Sequence, residues 1–254
     1  MTQQATFDPI VNLPASYVNN ATIAYGSNTT LTVAPGQVRD STNVNDLVLS
    51  ASTTVNAAVN GINGLDTGSL AANKCYAVFI IADPTGVQVT GTIISLSATA
   101  PTLPFGYGLF RRIGWILTDA SSHFLKFYQL GSGASNVRTY YYDSPVSVLS
   151  GGASATFAAV SLVNGVPAMN AAIFLNAAYT PAVAGNAASI RPTGSSVAAN
   201  ASPVILTGDV IAKAQDFSAI KTVALLATGV PSIDYVVQSS DALSLSVAGF
   251  EDFL

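Results

Sequence analysis

The chain has 254 residues and a formal net charge of −4; half of its residues are hydrophobic and only 9% are charged, against about 25% in an ordinary soluble protein. Nine Lys plus Arg are too few for the electrostatic footprint that a phosphate backbone requires, which excludes nucleic acid as an expected partner. No run approaches the roughly 18–20 apolar residues of a spanning helix, and the Ala-rich C-terminal half lacks the aromatic girdles of a transmembrane barrel, so no membrane role is expected.

The length suits one large β domain or two small ones. A surface of Ser, Thr, Asn, Gly and Ala with so few charges suits broad contact with other subunits, because interface cores are depleted of charge. A homo-oligomer is therefore expected, with a trimer favoured. Residues 1–8 carry neither a basic region nor an apolar region of the kind that opens a secretory signal, which points to assembly in the cytoplasm.

Glu occurs once and Lys four times, while Val, Thr, Ile, Tyr and Phe are abundant, so the backbone preference is for strands. Thr29 to Val33 alternates polar with apolar and closes in Ala34-Pro35-Gly36, from which Gln37 to Ser41 can return antiparallel. Asn45 to Leu49 and Thr53 to Val59 are further strands, with reversals at the Asn-Gly pairs of Asn60 to Gly64. Tyr76 to Ile81 is continuously apolar and reads as a central strand buried on both faces. A turn at Asp83-Pro84-Thr85-Gly86 then leads into Val87 to Leu96. Gly106 to Leu117 and Phe124 to Tyr128, joined at Thr118 to Ser122, read as a second, aromatic-rich hairpin.

Gly131 to Ser135 is small, polar and flexible, and the composition changes across it. It marks the expected boundary between an N-terminal β domain, residues 1–133, and a C-terminal Ala-rich β domain, residues 134–254. In the second half Ala155 to Val163, Met169 to Ala178, Pro203 to Leu206, Lys221 to Ala227, Ile233 to Gln238 and Leu243 to Phe250 are strand-like. A short helix competes over Ile211 to Ile220 because of Ala212, Lys213, Ala214 and Gln215. Asn176 to Asn200 reads as a long loop or extended arm. The expected architecture is all-β, two β-sandwich or jelly-roll-like domains joined by a short Gly/Ser linker.

Little in the chain offers catalysis. His123 is the one histidine and Cys75 the one cysteine, too few for structural zinc. The neighbours Asp119, Ser122 and His123 lie too close in a turn to converge as a triad. Cys75 reads as a small core hydrophobe. Asp40 and Asp46, flanked by Asn43 and Asn45, form the one close acidic pair; turn capping accounts for it better than calcium. No dinucleotide, phosphate-loop or nucleophile-elbow motif is present, so neither cofactor nor enzymatic activity is expected. Paired Asp residues acting on a polysaccharide are kept as a minority alternative.

Six residues are candidates for interaction. Arg111 and Arg112 sit next to each other in a strand, so one guanidinium faces each side of the sheet and at least one must meet a carboxylate or carbonyl partner, within the chain or across a subunit boundary. Trp115, Tyr140, Tyr141 and Tyr142, with Tyr107 nearby, could stack on sugar rings, although hairpin aromatics more often fill cores.

Several pieces of the first half resemble a recurrent module of tailed-bacteriophage virion proteins, recorded as structural, head-decoration or fibre-like. They are Thr29-Thr30-Leu31-Thr32-Val33, Asp40-Ser41-Thr42-Asn43, Val55 to Gly61, Gly64 to Leu70, Pro101-Thr102-Leu103-Pro104-Phe105-Gly106-Tyr107 and Phe110-Arg111-Arg112-Ile113-Gly114-Trp115. The resemblance covers residues 23–131 and departs at Cys75-Tyr76, where the family often places an aromatic before the Tyr. It implies a virion role without fixing the part of the particle; the first expectation is a capsid decoration or cement protein located in the virion, with the major capsid protein and copies of the same chain as partners. A head, collar or tail fibre module touching host glycans is the alternative. From Tyr140 onward no motif is recognised.

Overall fold

The structure, a computed structural model, describes residues 14–131 and 136–254. Strands account for 53% of it, with no α-helix among the described residues. The all-β expectation holds, in the form of one large curled sheet and three smaller ones.

The first six strands are β1 (Val18–Asn20), β2 (Ile23–Tyr25), β3 (Thr30–Val33), β4 (Gly36–Arg39), β5 (Asp46–Leu49) and β6 (Thr53–Asn56). They divide into two three-stranded sheets, β1-β4-β5 and β2-β3-β6. The expected return of residues 37–41 onto 29–33 is therefore not made. The chain changes sheets at Pro35, and Gly36 runs so close to Asn19 and Ala21 that a Cβ there would collide with their backbones. Proline and a close-packed glycine thus act as a crossover rather than a hairpin turn.

A four-stranded sheet follows, in the order β10-β8-β9-β7, from β7 (Gly64–Leu65), β8 (Cys75–Ala82), β9 (Gly91–Ser95) and β10 (Leu109–Leu117). As expected, β8 is central, and it is buried from Tyr76 to Ala82. Each of its large apolar side chains removed from water contributes about 1.5–3 kcal/mol. Residues 87–90, expected as strand, belong to the loop before β9 instead. Asp83 accepts from the Thr85 amide at 2.7 Å and the Gln88 amide at 3.0 Å. Those bonds hold the loop away from the ladder.

The remaining strands are β11 (Phe127–Leu130), β12 (Val137–Gly152), β13 (Ala158–Ser161), β14 (Ala171–Thr180), β15 (Ala187–Pro192), β16 (Val204–Thr207), β17 (Gln215–Ala227), β18 (Val230–Val236) and β19 (Ala242–Phe253). They build a nine-stranded sheet in the order β11-β12-β19-β14-β17-β18-β15-β16, with β13 also paired to β18. The second hairpin expected from sequence is reduced to one bridge, Thr118 with Phe124. The chain then leaves the β10 sheet, and β11 pairs antiparallel with β12. The expected boundary falls between these two paired strands, and residues 132–135 of it lie outside the described residues.

Two expectations in the second half are overturned. The stretch 176–200 is not an arm: it holds the end of β14 and all of β15, whose Ala188, Ser189 and Ile190 are buried. Residues 215–220 are strand rather than helix. Gln215, Asp216 and Phe217 pair with Tyr179, Ala178 and Ala177, and the ladder shifts register at Ala219, which takes a positive φ of 56°. Pairing along a long neighbour outweighs the weak helix preference of Ala and Lys.

One buried apolar cluster runs through both halves, from Val18 and Ile23 to Val247 and Phe250. Gly114 lies directly under the Tyr140 hydroxyl, where a Cβ would collide with it and with the end of Ile23.

Candidate interaction surface

The structure brings four of the six sequence candidates together and places Arg111 and Tyr141 apart from them and from each other. Arg112, Trp115, Tyr140 and Tyr142 belong to the seam between the β10 sheet and the large sheet. Arg112 donates to Asp252 at 2.6 Å and to the Phe253 carbonyl at 3.4 Å, and its guanidinium lies 4.8 Å from the Trp115 ring centroid. Asp252 is fully buried, and its register partner on β12 is the fully buried Arg138, which donates to the Asn20 carbonyl at 2.9 Å. The Tyr140 hydroxyl accepts from the Trp115 amide at 3.2 Å and from Gln129 at 2.7 Å. Burial pushes the Tyr140 phenol far above its ordinary pKa, so it remains a neutral, hydrogen-bonded core group. Arg111 points elsewhere and donates to the Ser16 carbonyl at 3.2 Å.

Trp115, Tyr140 and Tyr142 are buried, so three of the four proposed sugar-stacking rings fill the core. Tyr141 is different. Its position between two inward-facing tyrosines turns it to the opposite face, because side chains alternate along a strand.

On that face Tyr141 belongs to a row that crosses five strands in register: Tyr128 on β11, Tyr141 on β12, Gly249 on β19, Phe174 on β14 and Lys221 on β17. Gly249 is the gap that permits the row. With no side chain between them, the Tyr141 and Phe174 rings stack with centroids 5.1 Å apart. The adjoining row on the same face runs Leu130, Thr139, Glu251, Ala172 and Val223, and Phe253 lies beyond it opposite Val137. Tyr128, Leu130, Tyr141, Val223 and Phe253 are all exposed. Sequence reading missed Tyr128 and Phe174. The available signal for Phe174 was the alternation of Ala171, Ile173 and Leu175 inward with Ala172, Phe174 and Asn176 outward.

The charges beside these two rows are spent on one another. Lys221 donates to Glu251 at 2.7 Å, and Lys126 pairs with Asp143 at 3.0 Å. Farther along the same face a groove of about 430 Å³ is lined by Ser147, Ser246, Asn176, Asp216 and Phe217.

The remaining polar candidates have local structural work. Asp119 accepts from the Ser121 amide at 2.8 Å and the His123 amide at 2.9 Å, which makes His123 a turn residue. Asp40 accepts from the amides of Val44 and Asn45 and from the Thr42 hydroxyl, whereas Asp46 is paired with Arg39 at 3.4 Å. The two carboxylates thus serve separate partners, in keeping with turn capping. Burial raises the Cys75 thiol pKa well above its ordinary value, which disfavours the thiolate form. Among the described residues no three His, Cys, Asp or Glu side chains gather as a metal site.

No family model, no curated protein and no solved structure matches the chain.

Proposed function

We propose that the chain is a non-enzymatic structural protein of a tailed-phage particle, a capsid decoration or cement subunit whose copies associate and dock on the major capsid protein. The observation that carries this reading is the outward face of the large sheet. Tyr128, Leu130, Tyr141, Phe174, Val223 and Phe253 lie on it together across five strands, while the Lys and Glu among them are paired with each other. A contiguous apolar face of this kind marks a surface that another macromolecule covers. The low charge content and the motif resemblance over residues 23–131 support the same assignment. Cementing by such a face is burial chemistry, worth roughly 25 cal/mol per Å² of apolar area removed from water.

The test is imaging of particles that carry a labelled chain or lack it. Hundreds of regularly spaced copies support decoration; a few copies at one vertex move the protein to a collar or fibre. Absence from purified particles overturns the virion reading.

A second reading is favoured by one feature, the serine- and asparagine-lined groove beside the Tyr141–Phe174 stack. Ring faces with hydroxyl and amide groups alongside suit the C–H and O–H groups of a host glycan. Titration with host surface polysaccharide tests it, and release of sugar in the same mixture would turn the reading toward a depolymerase.

A further inference from the structure

We propose that copies of the chain join head to tail, by insertion of an apolar knob carried by Phe105 into an apolar pocket of the next copy between β15, β16 and β18. The proposal rests on the self-association reading above and gives it a geometry.

The knob is made by two loops of the β8–β9–β10 sheet lying side by side. Phe105 is 99% exposed, Val87 85% and Val89 76%. An aromatic side chain held wholly in water is costly unless something covers it, and each such ring can bury 150–250 Å². Both loops are fixed in advance. Pro104 to Tyr107 closes a turn, with the Tyr107 amide on the Pro104 carbonyl at 3.1 Å and Gly106 at a φ of 88°. The Tyr107 hydroxyl then donates to the Val89 carbonyl at 2.8 Å, which ties one loop to the other. The carboxylate of Asp83 holds the second loop from below through the amides of Thr85 and Gln88. A side chain presented on so rigid a support loses little conformational entropy when it binds, as an interface anchor requires.

The same chain carries a pocket of matching character. It has a volume of about 540 Å³ and a lining that includes Ala187, Ala199, Ile205 and Val237 together with uncharged polar residues such as Ser189 and Gln238. Small side chains leave it open, and none of its lining residues is ionised. The knob loops, residues 84–90 and 101–107, likewise hold no ionised side chain. The two surfaces therefore meet without burying a charge. The same absence of Lys and Arg disfavours a lipid surface as the occupant, since binding to anionic lipid relies on cations around the apolar anchor. Because knob and pocket are different patches, the contact is heterologous, and it closes into a ring if the rotation permits.

Sedimentation of the full chain and three variants tests this. Wild type is expected to form oligomers. Phe105→Asp, an exposed position, is expected to stay folded by circular dichroism while its association weakens by about thirtyfold or more. Ala199→Trp fills the pocket and should weaken association likewise. Mixing these two variants should restore one-to-one pairs, since each supplies the half that the other lacks. A Val89→Cys, Gln238→Cys double variant should form intermolecular disulfides on mild oxidation, identified by peptide mass. If wild type associates but Phe105→Asp associates equally well and no such disulfide forms, the knob-and-pocket contact is wrong and self-association survives. If wild type remains a single subunit, both are wrong.

Discussion

Replacing Asp252 by alanine removes the one carboxylate on which Arg112 closes at 2.6 Å, at a position with no solvent exposure, and leaves the fully buried Arg138 opposite the gap. Removing one partner of a buried pair costs about 3–5 kcal/mol, because the remaining charge is stranded. Arg112 keeps a side-chain exposure of 20%, so water can reach it, and the expected cost lies near the lower end, about 3 kcal/mol. For a chain of this size that is a fall in melting temperature of roughly 6–12 °C, read by differential scanning calorimetry at neutral pH. The double variant Arg112→Met, Asp252→Leu should recover part of the loss, since Arg112 no longer lacks its carboxylate, while the buried Arg138 still loses the Asp252 charge opposite it. A melting temperature for Asp252→Ala within about 1 °C of wild type would refute the argument that this pair fastens the β10 sheet to the large sheet.

Gly114→Ala drives a methyl group into the Tyr140 hydroxyl and the end of Ile23, and overpacking of this kind costs about 1–3 kcal/mol; an unchanged denaturation midpoint would contradict it. Val78→Asp places an unpaired carboxylate in the fully buried centre of β8 and should unfold the β10-β8-β9-β7 sheet; soluble, strand-rich protein by circular dichroism would show the burial to be misjudged. Burial of Asp40 opposes its ionisation, but hydrogen bonds from Asn45, Thr42 and Val44 outweigh it and hold the carboxyl below its ordinary value. Its contribution is therefore complete above an unfolded pKa of about 3.9 and lost as pH falls through the lower folded value. Thermal melts between neutral and strongly acid pH should lose less stability in Asp40→Asn than in wild type, and identical profiles would contradict the assignment.

The parts of the fold that sequence reveals are those in which local pattern and long-range pairing agree. Tyr76 to Ile81 has no polar face, so it could only be a central strand. Thr30 to Val33 alternates and does lie half-buried. Where the partner lies far away in sequence, the local signal fails. Pro35 and Gly36 look like a hairpin turn until Asn19 and Ala21 are seen to occupy the space beside Gly36. The alanines of residues 187–188 carry little strand preference of their own and become strand because β16 pairs with them at Thr207 and Leu206.

The surface shows the same division. Three adjacent tyrosines in a strand imply that two face one way and one the other, but only the packing of Tyr140 on Phe250, with ring centroids 4.7 Å apart, decides which face is the core. Tyr141 therefore meets Phe174, distant in sequence, across a glycine that no local pattern singles out. Phe105 stands in the sequence only within the Pro101 to Tyr107 motif; its full exposure, on a turn that Tyr107 ties to the Val89 carbonyl, is a feature of the folded chain alone.

Self-association is tested most directly by the mass of the purified wild-type chain in solution, measured by sedimentation equilibrium across a range of micromolar concentrations. A discrete multiple of the subunit mass is the expected result. A freely soluble species at one subunit mass throughout that range would contradict self-association of the chain and, with it, the contact between Phe105 and the β15, β16 and β18 pocket.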